Sequence, residues 1–147
     1  MPWLFSYGSN HPDQLAERLG RDEFELRAAR LSGYWRVFRG WSRRWDGGVA
    51  SIEPKKDQFV FGFVAKVTAS DLAAMDRYEG VAGGSYSRTN VKVETPGGPV
   101  TAVAYVASSR EHNPPSREYL DAVAKTIGAF WRADDGGPVR WLHITVR

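Results

Sequence analysis

Two short stretches of this sequence hold residue types that can move a proton or hold an anion. The first is Tyr7-Gly8-Ser9-Asn10. It follows the apolar run Trp3-Leu4-Phe5-Ser6. A glycine just after a buried strand lets main chain approach a ligand, and successive N–H groups of such a turn form an anion-binding nest. An ordinary strand-to-helix turn has the same composition, so residue types alone leave both readings open. The second is Glu79, at the end of a helical pattern, where the negative end of the helix dipole disfavours a carboxylate. With Tyr78 and Tyr86 close in sequence, an apolar surrounding would raise its pKa toward the range useful for proton transfer near neutrality. A solvated glutamate is the alternative there.

Other chemistries find no residues to carry them. The chain has no cysteine, which excludes a thiolate nucleophile, a disulfide scaffold, an iron–sulfur cluster and a Cys-based zinc site. His11, His112 and His143 stand far apart without ligand spacing, so neither a metal nor another cofactor is expected. No Walker loop is present, and the glycines of Gly80-Val81-Ala82-Gly83-Gly84 follow a helix instead of a strand, the wrong context for a dinucleotide fingerprint. Ser9 has no His–acid pair marked out for it and reads as a turn residue.

The elements that must position these residues follow from periodicity. Residues 3–7 read as a buried strand running into the Gly8 loop. Pro12 opens a short helix with Leu15, Ala16 and Leu19 on one side and Gly20 as its stop. Residues 25–31 and 34–39 read as strands separated by Ser32-Gly33. A loop rich in Trp, Arg and Gly follows through residue 48. Residues 49–52 and 59–67 form the next two strands, joined by the polar turn Pro54-Lys55-Lys56-Asp57. Thr68 and Asp71 have capping-box spacing and start a helix through Leu72, Met75 and Tyr78, which ends near Glu79 with Gly80 at C′. Residues 86–94 and 100–106 form a hairpin around Thr95-Pro96-Gly97-Gly98-Pro99. Ser116 caps a last helix whose stripe is Tyr119, Leu120, Val123, Ile127 and Phe130, and residues 138–146 form a final extended segment. This order predicts an α+β domain with one curled sheet.

With 147 residues, the length fits a single domain able to bury a core without staples. Lys and Arg total 20 against 17 acidic residues, a net charge of +3, and 15 of the cations are Arg. Many crowd with aromatics into residues 34–45. Arginine beside aromatics suits an RNA-binding protein, but a small and local charge excess argues for no nucleic acid. The N-terminus lacks a basic export region, and no run approaches the 18 or so apolar residues that span a bilayer. A cytoplasmic protein without a membrane partner is expected.

Tyr7-Gly8-Ser9-Asn10 resembles the YGSN signature of the γ-glutamylcyclotransferase family. The likeness continues in register through Gly47-Gly48-Val49-Ala50-Ser51-Ile52 and Asp76-Arg77-Tyr78-Glu79-Gly80-Val81. It extends through Gly84-Ser85-Tyr86, Ala104-Tyr105-Val106 and Pro114-Pro115-Ser116-Arg117-Glu118-Tyr119, covering about residues 3–130. It implies a small mixed-strand β-barrel flanked by helices. It also implies cyclotransfer, in which the α-amine of a γ-glutamyl amino acid or amine attacks its own γ-carbonyl to give 5-oxoproline and a free amine. Glu79 matches the general acid/base. Leu4, Phe5, Ser6, Tyr7, Gly8, Ser9 and Asn10, with Tyr86, Tyr105 and Tyr119, match the substrate-binding set.

Such a reaction suits the residues present. Proximity is built into the substrate, one carboxyl with a raised pKa can serve as base and then acid, and turn N–H groups can meet the oxyanion. The expected partner is a small γ-glutamyl compound, with the chain a monomer or a homodimer. In the family register the Trp/Arg stretch lies between barrel strands, where it could shape the side of a pocket, with an arginine such as Arg43 pairing with substrate carboxylates and a tryptophan such as Trp41 closing over the leaving group. Two departures stand out: His11-Pro12 where an aliphatic residue is common, and residues 131–147, which match nothing in the pattern. A non-catalytic binding module of the same fold is the alternative.

Overall fold

The computed structural model describes residues 1–21, 23–133 and 139–144. In chain order the elements are β1 (Trp3–Ser6), α1 (Pro12–Leu19), β2 (Leu26–Ser42), β3 (Gly47–Lys66) and α2 (Ala69–Tyr78). They continue with β4 (Tyr86–Thr95), β5 (Gly98–Ala107), α3 (Arg117–Gly128), β6 (Trp131–Ala133) and β7 (Val139–Ile144). The first five strands close into a barrel in the order β1-β3-β2-β4-β5, while β6 and β7 form a two-stranded ladder. All barrel pairs are antiparallel except β1 with β5. This is the α+β barrel with flanking helices that the sequence implied.

Both faces of β1 and of the 60–65 end of β3 are covered, which explains their near-continuous apolar runs. Phe5, Leu31, Ile52, Val64 and Val93 fill the barrel interior, joined by Tyr119 and Val123 from α3. On the other face Leu4, Phe63 and Ala65 pack against Leu15 of α1, Leu72 and Met75 of α2, and Phe130. Each fully buried Leu, Met or Phe contributes about 1.5–3 kcal/mol through removal from water, so this second cluster fixes α1 and α2 against the barrel.

Three local readings change. The two strand pairs expected over residues 25–67 are two long strands. Residues on both sides of Pro54-Lys55-Lys56-Asp57 pair with β2 instead of with each other. Tyr34 faces Pro54 and Ser32 faces Phe59, so residues 55–58 bulge opposite Gly33 without reversing the chain. Of the expected α3 stripe Tyr119, Val123 and Phe130 are buried and Ile127 packs partly buried against both clusters, and Thr126 joins them. Leu120, one residue round from Tyr119, is exposed. The final segment is a strand over Val139–Ile144, and its expected ends at 138 and 145–146 lie outside the described residues. No helix among the described residues is long and apolar enough to cross a membrane.

Candidate active site

The barrel seam between β1 and β5 is short. The two strands pair only at Trp3 with Ala102 and Leu4 with Val103. Beyond that point the Tyr7 hydroxyl donates to the Tyr105 carbonyl in place of a ladder bond. A cavity of about 500 Å³ opens here. Leu4, Phe5, Ser6, Tyr7, Gly8, Ser9 and Asn10 all line it, as do Glu79, Tyr86, Tyr105 and Tyr119. Every residue singled out for the site from the sequence therefore meets at one place.

Glu79 reaches this cavity because α2 ends there by a defined motif. Thr68 and Asp71 form the expected capping box at its start. At its end Glu79 is the C-cap and Gly80 adopts φ +64, the left-handed conformation that favours glycine. The Gly80 N–H bonds the Arg77 carbonyl at 3.2 Å and the Val81 N–H bonds the Asp76 carbonyl at 3.0 Å, a Schellman pair. The turn then folds back, with the Ser85 N–H on the Gly80 carbonyl at 3.0 Å, and delivers Tyr86 to the cavity wall.

Burial raises the Glu79 carboxyl above the ordinary range, and a hydrogen bond from Asn10 and the charge of Arg18 partly oppose that rise. The Asn10 Nδ2 group donates to Glu79 Oε1 at 3.2 Å. The apolar surrounding does not come from Tyr78, which is 57% exposed at the cavity mouth. Tyr7, Tyr86 and Tyr119 line the cavity instead, and burial pushes all three phenols up. Among the described residues that line the cavity Glu79 is thus the one carboxyl, and it holds its proton more readily than an ordinary glutamate.

Tyr119 is placed by an interlock of two stretches. Residues 113–116 cross directly over Gly47-Gly48, with the Gly48 N–H on the Pro114 carbonyl at 3.1 Å. A Cβ at Gly47 would lie 2.8 Å from the Pro114 oxygen, and one at Gly48 would overlap the Asn113 carbonyl. Glycine is the residue that permits this crossing. Ser116 then caps α3 by accepting from the Tyr119 N–H at 3.1 Å, and the Tyr119 hydroxyl accepts from the Ala50 N–H at 2.8 Å. The Tyr105 hydroxyl, by contrast, points away to Asp76 (2.6 Å) and the Leu72 carbonyl (3.2 Å).

The barrel, the cavity and these motifs have a counterpart among solved structures. A γ-glutamyl cyclotransferase structure superposes with a TM-score of 0.78 at 31% identity, over 86% of this chain and 80% of the other. The chain belongs to the γ-glutamylcyclotransferase family. Residues 59–129 match the model of the AIG2-like family. Family relatives named gamma-glutamylcyclotransferase include the mouse protein, 31% identical over 81% of this chain and 66% of its own length. The human protein is 34% identical over 68% of this chain and 51% of its own length. The chain therefore spans about half to two-thirds of these relatives.

Within this family member, Trp41 and Trp45 of the Trp/Arg stretch line the cavity as expected, whereas Arg18, Tyr78 and Arg44 line it without having been singled out. Of the Trp/Arg stretch, Arg44 and not Arg43 is on the cavity wall. Arg36 holds the signature turn from behind, donating from Nε and a terminal nitrogen to the Tyr7 carbonyl at 3.0 and 2.8 Å. Arg39 is buried against Glu53 and His112. His11, at the departure from the family pattern, is the α1 N-cap, its ring accepting from the Asp13 N–H at 3.2 Å. Pro12 at N1 was the signal for that cap.

Proposed function

We propose that this chain catalyses cyclotransfer on a γ-glutamyl amino acid or γ-glutamyl amine, with Glu79 as general acid/base. The observation that carries the reading is the Glu79 carboxyl with its raised pKa, set against the Tyr7–Asn10 turn in one cavity. In the first step the carboxylate takes a proton from the substrate's α-ammonium. The freed amine attacks the γ-carbonyl carbon, so a new C–N bond forms and the carbonyl oxygen becomes an oxyanion. In this reading main-chain N–H groups of the turn meet that charge. Collapse breaks the original amide C–N bond as Glu79 returns its proton to the departing nitrogen, and the ring nitrogen gives up its second proton to the released amine, leaving the neutral lactam. The products are 5-oxoproline and the free amine. The sequence of steps uses no cofactor.

The remaining groups supply orientation. Tyr119, whose hydroxyl is fixed by the Ala50 N–H and by Ser9 of the turn, borders the place of the bound glutamyl moiety. Tyr86 and Tyr105 close the walls. The test is 5-oxoproline release from a panel of γ-glutamyl dipeptides and γ-glutamyl amines. Glu79→Gln keeps the shape and loses the proton exchange, so turnover should fall by about 100- to 10,000-fold. Unchanged turnover in that variant sinks the assignment. Binding of 5-oxoproline with no turnover by the unmodified chain would instead mark a non-catalytic binding module.

A further inference from the structure

We propose that Arg18 is a positioning residue that acts on Glu79 through Asn10, turning the Asn10 carboxamide so that its NH2 end faces the carboxylate. The inference rests on the reading of Glu79 as the proton carrier. Arg18 NH1 donates to Asn10 Oδ1 at 2.7 Å, and Asn10 Nδ2 donates to Glu79 Oε1 at 3.2 Å. A carboxamide has one accepting and one donating end, whereas a guanidinium can only donate. Arg18 therefore fixes which end of Asn10 it takes, and the donor is left for Glu79. A donor at that place favours the carboxylate, the form that must accept the substrate's proton. Without Arg18 the carboxamide is free to turn over and offer its oxygen, an arrangement that suits only the protonated acid.

Arg18 itself is held on the element that carries Glu79. Its guanidinium lies 5.0 Å from the centre of the Tyr78 ring, a cation–π distance. Tyr78 immediately precedes Glu79, and this contact gives a role to an aromatic ring that is otherwise exposed at the cavity mouth. One side chain of α1 thus grips both the signature turn and the end of α2. The charged and titratable groups facing Arg18 are Glu79, Arg44, Tyr78 and Glu17. Those facing Glu79 are Arg18 and the phenols of Tyr7, Tyr86 and Tyr119. Burial makes those three phenols harder to ionise than free tyrosine, so Glu79 is the group among them that can exchange a proton near neutrality.

The experiment compares the unmodified chain with Arg18→Gln and Arg18→Lys by two readouts. Carboxyl-detected NMR follows the titration of Glu79 in the free protein, and 5-oxoproline release gives kcat/KM against pH. Arg18→Gln should move the Glu79 titration and the acid limb of kcat/KM upward together. Activity at pH 5 should then fall about 3- to 10-fold more than activity at pH 8. Arg18→Lys keeps a donor and a charge and should restore much of the profile. A uniform loss at every pH with an unmoved Glu79 titration would overturn the proposal. A moved titration in a chain that releases no 5-oxoproline would uphold it and reject cyclotransfer. Should Arg18→Gln fail to fold, the same two readouts on Tyr78→Leu, which removes the seat of Arg18, decide the matter.

Discussion

The Tyr105 hydroxyl donates to Asp76 at 2.6 Å, and so ties β5 to the last turn of the helix that presents Glu79. Asp76 is also bound by Arg88 from β4 at 2.7 Å, and its carbonyl takes the Val81 N–H of the helix end. One aspartate therefore clamps the C-terminus of α2 to two barrel strands. Tyr105→Phe keeps the ring on the cavity wall but removes that clamp. It should cost about 1–2 kcal/mol of stability and lower kcat more than it raises KM, because the displaced group is Glu79 and not a binding surface. Chemical denaturation with steady-state kinetics checks both. An equal change in kcat and KM counts against the clamp.

The same aspartate predicts a pH effect. The Arg88 hydrogen bonds first, and the Tyr105 bond after them, hold Asp76 below the ordinary carboxylate range. A group whose pKa is lower folded than unfolded stabilises the fold above its unfolded value and loses that contribution as pH falls through its folded value. Asp76→Asn should therefore be less stable at pH 7 and show a shallower loss of stability below about pH 4. Parallel acid slopes for the two proteins would refute this.

Glu79 obeys the opposite sign. Its pKa is raised in the folded chain, mainly by burial, so the fold becomes less stable as pH rises from below the unfolded value to above the folded one. Glu79→Gln removes that penalty. It should raise the melting temperature at pH 7 by about 2–5 °C even as turnover falls steeply, and the gain should vanish near pH 4. A loss of stability at pH 7 would mean that the carboxylate is held more favourably than its surroundings indicate.

Much of the site was legible because it is local. The Gly8 turn, the capping box of Thr68 and Asp71, Gly80 at C′ and the Ser116 cap are each written within a few residues, and together they place Tyr7, Glu79 and Tyr119. What was illegible depends on contacts between distant elements. Arg18 sits in the last turn of α1, where a cation is unremarkable by itself. Its meaning comes only from α1 and α2 packing side by side over Leu15 and Met75. The bulge at residues 55–58 looked like a reversal because it is polar and exposed, with Asp57 at φ +64. Only the pairing of both flanks with β2 shows that the chain runs on. Arg43 and Arg44 are chemically identical in sequence, and the geometry of the hairpin turn alone decides which one faces the cavity.

The crossing of residues 113–116 over Gly48 gives a steric prediction. A methyl group there would overlap the Asn113 carbonyl, so Gly48→Ala must push that segment off β3. The Gly48 N–H bond to Pro114 and the seat of Tyr119 on Ala50 go with it. The loss should be about 2–3 kcal/mol by denaturant midpoint, with KM raised in whatever protein remains folded. Tyr119→Phe separates the two effects. It keeps the ring against Trp45 at 5.2 Å and loses only the hydroxyl, leaving the buried Ala50 N–H without its partner at a cost of about 1–3 kcal/mol.

Trp41, Arg44 and Trp45 form a part of the cavity lining beyond the turn assigned to the glutamyl moiety. Trp41 is 59% exposed, and Arg44 lies 5.2 Å from the Trp45 ring centre, which in turn abuts Tyr119. Among the described residues Arg44 forms no ion pair with an acidic side chain. A leaving half that carries a carboxylate would give it one, whereas a plain amine would not. The double substitution Trp41→Ala with Arg44→Ala should therefore lower kcat/KM for γ-glutamyl amino acids about 5- to 20-fold more than for γ-glutamyl amines. Arg43→Ala, off the cavity wall, should leave the ratio unchanged. If both substrate classes fall in step in the double variant, this wall supports the fold of the site and does not read the leaving half.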